Sequence, residues 1–266
     1  LASGLFAYFL ASLSPADFLD WGWRYPFFAA FAINVVALFA RLRIVATEEF
    51  GSLFEKRELR PTRIASLVRA EGGNVLIGAF APLATFAMFH LVTVFPLSWV
   101  ALHDDHQALT FLRIEIMGAL FGVAGILASG WIADRITRQN QLALSALLIG
   151  AFSLLAPRLL DGGSAGQMAY VIVGFIILGL SFGQAAGSVS SGFSKRYRYT
   201  GAALTSDLSW LIGAGFAPLA ALGLASLWGL PAVGLYLASG AIATLVALTL
   251  DRNRRQASRA TPDSRS

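Results

Sequence analysis

The stretch from Thr110 to Gln139, TFLRIEIMGALFGVAGILASGWIADRITRQ, decides how the rest of the chain is read. Positions 110–133 are apolar apart from Arg113 and Glu115, both near the start of the run. A helix of this length rises about 36 Å, enough to cross a hydrocarbon core of about 30 Å. A polar run, Asp134-Arg135-Ile136-Thr137-Arg138-Gln139, follows at once, and a second apolar segment begins at 140. The hydrophobicity is continuous, without period-two alternation, which argues for helices over a barrel. The stretch therefore reads as a membrane helix closed by a short basic loop.

The same pattern recurs on both sides. Apolar segments run over 1–14, 22–42, 74–101, 110–133, 140–157, 167–192, 200–226 and 230–250. All but the first are long enough to span a bilayer. Turn chemistry separates them at Ser14-Pro15, Asp104-Asp105, Asp161-Gly162-Gly163 and Gly229-Leu230-Pro231. Over 266 residues, 56% are hydrophobic and 13% charged, with a mean hydropathy of +0.67. That much apolar surface excludes a disordered chain, and the absence of cysteine excludes a disulfide-stapled scaffold. The chain opens at Leu1 inside an apolar stretch and shows no signal-peptide pattern. The expectation is that the amino end of a longer protein is missing.

Charge placement gives the orientation. If the segments cross in alternation, one side holds 41–73, 134–139, 193–199 and the tail from 251, with 17 of the 20 basic residues. Only Arg24, Arg113 and Arg158 fall on the other side. By the positive-inside rule the basic side is cytoplasmic, so both ends of the chain face the cytoplasm. The net charge of +5 is thus an address on the membrane and does not call for a nucleic-acid partner. Residues 41–73 form the one long polar insert, where Glu48, Glu49, Glu55, Glu58 and Glu71 nearly offset the bases. Mixed charge of this kind predicts a short surface helix connecting two membrane bundles, with a lipid-binding basic patch as the sharper alternative.

Several side chains within the spans are candidates for chemistry, because an ionisable group in hydrocarbon is costly unless it faces a cavity or a partner. His90 lies beyond the midplane toward the outside. Asp207 follows Thr200 by seven residues, about 10 Å into the membrane from the cytoplasmic side. Glu115 precedes Asp134 by nineteen residues, about 28 Å, which sets it and Arg113 near the outer surface. Asn34, Thr85 and Gln184 either bond a substrate or hold helices together. Glycines at Gly118 and Gly122, and at Gly179, Gly183 and Gly187, recur at four-residue spacing and predict close helix packing. Pro82, Pro96 and Pro218 lie inside spans and predict kinks. Trp21 and Trp23 read as interfacial anchors, with Arg24 snorkelling to headgroups. The run His103-Asp104-Asp105-His106 has the right ligand types for a metal but no second cluster, so it reads as a polar loop. No metal and no cofactor are expected.

Three motifs carry a family resemblance. Gly130-Trp131-Ile132-Ala133-Asp134-Arg135-Ile136-Thr137-Arg138-Gln139 resembles the loop motif of the major facilitator superfamily, G-x-x-x-D-R-x-x-R followed by a basic residue. Gln139 departs from that last position, which weakens one contact. Trp21-Gly22-Trp23-Arg24-Tyr25-Pro26-Phe27, with Arg41-Leu42-Arg43 and the partial acidic match Ala46-Thr47-Glu48-Glu49-Phe50, resembles the sixth helix of the metabolite:proton symporter branch. Arg198-Tyr199-Thr200-Gly201 resembles the start of that branch's eleventh helix.

The resemblance implies an all-α polytopic membrane protein with the major-facilitator helical bundle. Residues 1–42 would hold the last two helices of an incomplete N-terminal half, 43–73 a cytoplasmic connector, 74–250 a complete six-helix C-terminal half and 251–266 a tail. The implied function is secondary active transport of a small polar metabolite of organic acid, amino acid or betaine type, with protons as the coupled ion. The implied gate is Gly130, Asp134, Arg135 and Arg138 at the cytoplasmic side. A uniporter or an inactive remnant lacking its first four helices is the near alternative, and this piece is not expected to transport alone. An integral-membrane enzyme is a distant alternative, because no clustered catalytic set occurs in the chain.

Overall fold

The computed structural model describes residues 1–45, 61–103, 108–189 and 192–260. The surface-helix expectation for the middle of the polar insert, and the acidic centre of the His103–His106 run, lie outside the described residues. Among the described residues the helices are α1 (Ala2–Ser12), α2 (Pro15–Asp20), α3 (Tyr25–Val45), α4 (Ile64–Phe80), α5 (Leu83–Thr93), α6 (Phe95–His103), α7 (Ala108–Ile136), α8 (Arg138–Leu160), α9 (Gly163–Val189), α10 (Arg198–Trp210), α11 (Ala217–Trp228) and α12 (Leu230–Ala260). A one-turn 3₁₀ segment, Gly22–Arg24, precedes α3, and a π segment, Leu211–Gly215, joins α10 to α11. Seven helical stretches are long and apolar enough to cross a membrane, and Ala2–Ser12 is the short apolar one. The expected spans are all present.

Three boundaries differ from the sequence reading. Helix α3 continues through Arg43 to Val45 and α4 begins at Ile64, so both ends of the expected 43–73 connector belong to membrane helices. Helix α12 runs on to Ala260, which makes the first ten residues of the expected tail helical. The basic residues there are good helix formers, so loss of hydrophobicity does not end the helix. Residues 97–117, expected within the C-terminal bundle, group with the first of two compact units.

That first unit comprises Leu1–Arg60 and Leu97–Met117. Ser14 caps α2: its Oγ accepts from the Asp17 N–H at 3.2 Å and its hydroxyl donates to the Asp17 carboxylate at 2.6 Å. Pro15 sits in the first turn, where its missing N–H costs nothing. Edge-on aromatic pairs hold the start of α3 in place, Phe6 with Phe27 at 6.3 Å and Trp23 with Phe27 at 6.0 Å. Arg24 lies 4.7 Å over the Trp23 ring and donates to the Asp20 carbonyl. Both expected anchors, Trp21 and Trp23, are exposed. Glu115 is 4% exposed and bonds Ser3 of α1, which explains why the start of α7 belongs to this unit.

The second unit comprises Pro61–Pro96 and Gly118–Ser266. Helix α8 packs between α9 and α12, α4 packs on α10, and α5 runs through the middle against α9 and α12. The expected kinks at Pro82 and Pro96 divide the helical stretch Ile64–His103 into α4, α5 and α6. Pro82 has no N–H, so the carbonyls of the preceding turn lose a donor. Neighbouring helices replace it. The Ser209 hydroxyl of α10 donates to the Ala79 carbonyl at 2.5 Å. The Thr244 hydroxyl of α12 donates to the Phe80 carbonyl at 3.1 Å while its oxygen accepts from the Ala84 N–H at 3.0 Å. Near the second break, the buried Tyr170 hydroxyl of α9 donates to the Leu91 carbonyl at 2.5 Å. Pro218 falls in the first turn of α11, directly after the π segment.

Of the glycine stripes, Gly118, Gly122, Gly179 and Gly183 pack closely as expected. A Cβ on Gly179 of α9 would collide with the Gly122 carbonyl of α7 and lie 3.0 Å from the Ile126 nitrogen. A Cβ on Gly125 would lie 2.8 Å from the Ile176 carbonyl, so this glycine extends the seam beyond the pair read from sequence. Backbones approach here because no side chain intervenes.

Two predictions follow from these contacts. Gly179→Val forces the α7–α9 seam apart and is expected to cost about 1–3 kcal/mol, read as a drop of several degrees in Tm of the detergent-purified protein. Gly130→Ala, with nothing within 4 Å of the added methyl, is expected to leave Tm unchanged. Removing either hydroxyl at the Pro82 break, by Ser209→Ala or Thr244→Val, leaves a buried carbonyl short of a donor and is expected to cost about 1–3 kcal/mol each. Wild-type Tm in both variants would show that the break needs no help from α10 or α12.

Candidate functional site

Within the second unit, three helices bring aromatic and ionisable side chains to one place. Helix α5 supplies Phe86, Phe89 and His90, α9 supplies Phe182, and α10 supplies Trp210. The Phe86 and Trp210 rings stack at 4.7 Å with an interplanar angle of 20°. Phe89 meets Trp210 edge-on at 5.6 Å and lies 5.7 Å from Phe182. The His90 ring stands 6.1 Å from Trp210 and 5.2 Å from Phe89. Phe86 is buried and backs the cluster, whereas Phe89, His90, Phe182 and Trp210 are half-buried and form its open side. The His90 Nδ1 is buried and has no hydrogen-bond partner among the described residues.

Asp207 completes the patch. It precedes Trp210 by three positions on α10, a spacing that sets both on one helix face. It is exposed on the surface of the unit. From the start of α10 at Arg198 the helix rises about 14 Å to reach it.

The sequence reading treated His90 and Asp207 separately, and the structure sets the His90 ring against Trp210, three residues beyond Asp207 on α10. The four aromatic residues were not singled out from sequence. Trp210 carried one signal, its three-residue spacing from Asp207; the convergence of Phe86, Phe89 and Phe182 on it carried none.

Other expected site residues lie elsewhere. Gln184 is buried and its Nε2 donates to the Ser129 Oγ at 3.3 Å, tying α9 to α7. Asn34 is exposed and donates to the Ala30 carbonyl of its own helix at 3.0 Å. Arg113 is exposed and Glu115 buried, both in the first unit. The structure thus brings together His90 and the face of Asp207, and groups none of these other four with them in the second unit's patch.

The basic loop motif occupies the turn from α7 to α8. Asp134, Arg135 and Arg138 are exposed, and the Arg135 guanidinium lies 3.5 Å over the Trp131 ring. Thr137 has φ +74°, a conformation a β-branched residue adopts only under strain, and its Oγ1 accepts from the Asn140 N–H at 3.4 Å to cap α8. Gln139, expected to lose a contact, donates to the Asp251 carboxylate of α12. Beside it Arg252 donates to the Asn140 Oδ1 at 2.9 Å. Across the same end, Glu71 at a kink in α4 accepts from the Ser194 hydroxyl at 2.5 Å and from the Asn74 side chain at 3.2 Å. From sequence Glu71 read only as one acid of the connector.

Comparison with known proteins agrees with this architecture. Residues 1–210 match the sequence profile of the Major Facilitator Superfamily. An inner membrane metabolite transport protein of Escherichia coli is 29% identical over 97% of this chain and 60% of its own length. A proline/betaine transporter of Escherichia coli is 26% identical over 82% of the chain and 45% of its length. A citrate-proton symporter of Klebsiella pneumoniae is 24% identical over 79% and 47%. The chain thus spans about three-fifths of the length of the first of these relatives and about half of the other two. No solved structure matches. With a profile match over most of its length and seven apolar helices long enough to span a bilayer, the chain belongs to the Major Facilitator Superfamily.

Proposed function

We propose that the protein is a proton-coupled secondary transporter that moves a small polar metabolite across the inner membrane by alternating access. The observation that carries this reading is the His90 ring set 6.1 Å from Trp210, with Asp207 three residues earlier on the same helix. A carboxylate on a cavity wall takes up a proton when the cavity opens to the acidic side and releases it on the other, and a neighbouring imidazole serves as a second acceptor. Both groups flank the same aromatic surface, so proton occupancy and substrate occupancy influence one another directly. The citrate-proton symporter among the relatives is in keeping with such coupling.

In this reading the basic end is cytoplasmic, and Asp134, Arg135 and Arg138 at that end hold the cytoplasmic gate through charge pairs that break as the bundles rock. Gly130, with open space around its Cα, leaves room for the partner that closes against it. The polar anchors between α8 and α12, Gln139 with Asp251 and Asn140 with Arg252, keep that side of the bundle together during the movement.

The test is uptake into proteoliposomes carrying the full-length protein. An inward-directed proton gradient, acidic outside, is expected to drive accumulation of a screened substrate of organic acid, amino acid or betaine type. Asp207→Asn is expected to reduce gradient-driven accumulation to background while leaving substrate exchange across the membrane in place. His90→Ala is expected to lower the initial rate. Uptake indifferent to collapse of the gradient, or wild-type accumulation in both variants, would overturn the assignment.

A further inference from the structure

We infer that a cleft between α8 and α12 binds an anionic phospholipid of the leaflet at the basic end, its phosphate on Arg252 and Asn140 and an acyl chain on the apolar floor below them. The site lies outside the aromatic cluster and plays no part in the transport reading.

The cleft holds about 390 Å³ of empty space, many times the ~30 Å³ that a water molecule occupies in the liquid. Two chemistries line it at two levels. Gln139, Asn140 and Arg252 form the rim, at the start of α8 and just past the apolar part of α12. Ala143, Leu245 and Leu248 form the floor, one to two turns further into the spans. Leu144, Val246 and Leu250, next to the lining residues on the same two helices, are exposed, and apolar positions of this kind meet lipid chains in a bilayer. A cleft that is polar where the span ends and apolar where it begins matches a molecule built the same way. A free phosphate ion would leave the floor without an occupant.

Charge selects the headgroup. The Arg252 guanidinium carries five N–H donors and spends one on the Asn140 Oδ1 at 2.9 Å. That bond holds the carboxamide oxygen on the arginine, and the Asn140 Nδ2 has no partner among the described residues. Planar, fixed donors of this kind suit the oxygens of a phosphodiester. Arg138, the first residue of α8, is exposed beside Gln139 and adds a second positive charge at the positive end of the helix dipole. The acid next to the rim, Asp251, already accepts from the Gln139 Nε2, and Thr249 spends its hydroxyl on the Val246 carbonyl at 2.8 Å. No carboxylate lines the cleft, so the ammonium of a zwitterionic headgroup gains no partner there. Basic pockets between membrane helices recognise anionic headgroups on the same grounds.

The experiment titrates the full-length protein, purified in a neutral detergent, with phosphatidylglycerol or with phosphatidylcholine of the same chains, and counts bound lipid by native mass spectrometry. Phosphatidylglycerol is expected to bind at least about tenfold more tightly than phosphatidylcholine. Arg252→Gln is expected to weaken phosphatidylglycerol about tenfold, the loss of one charge-assisted hydrogen bond to phosphate. Ala143→Leu fills part of the floor without touching a charge and is expected to weaken both lipids, which provides a second variant should Arg252→Gln fold poorly. Arg69→Ala removes a base that does not line the cleft and is expected to leave phosphatidylglycerol binding at the wild-type level. Equal affinity for the two lipids, wild-type binding in both cleft variants, or an equal loss in Arg69→Ala would overturn the inference. Inorganic phosphate, matched in ionic strength by chloride, is expected not to displace the lipid; displacement by phosphate alone would mark a free-anion site and overturn it as well.

Discussion

Every backbone N–H and C=O inside a bilayer must find its partner within the protein, and this requirement governs the second unit at its weakest point, the break at Pro82. The proline removes a donor from the middle of a span. Ser209 of α10 and Thr244 of α12 supply the replacement, each reaching a carbonyl of the last turn of α4. Three segments far apart in sequence are thereby pinned at one level. Helix α5, which follows the break, is the most completely buried in the unit and is held again at its far end by Tyr170.

That pinning positions the aromatic cluster. Ser209 adjoins Trp210, so the hydrogen bond that mends the break also sets the indole against Phe86 and Phe89. The π segment directly after Trp210 brings Gly213 onto the backbone at Leu83, where an added Cβ would lie 3.0 Å from the carbonyl. The repair of the break and the aromatic cluster therefore share the last turn of α10. Asp207, one turn earlier, is exposed on the surface of the unit.

Much of the architecture was legible in the sequence because the bilayer imposes simple one-dimensional rules. The runs of apolar residues mark the spans, the glycine repeats mark the α7–α9 seam, and the three prolines mark the breaks. The loop motif after Gly130 was readable as well, since its residue types and spacing are local. Gln184 read ambiguously, and its bond to Ser129 resolves it as a tie between helices. Glu71 was misjudged as a connector charge because its partner, Ser194, lies more than a hundred positions away.

By itself, the sequence determined which segments lie in the membrane, where they bend and which family the chain belongs to. Each of these follows from a residue's preference for water or hydrocarbon, or from a backbone property such as the missing N–H of proline, and both act locally. Only the tertiary structure decided that Phe86, Phe89, His90, Phe182 and Trp210 form one wall with Asp207 at its edge. That grouping depends on the rotation of each helix about its own axis and on its register against its neighbours. In a chain so uniformly apolar, hydrophobic patterning leaves both undetermined. Hydrogen bonds across the Pro82 break and close contact at the glycines are what fix them.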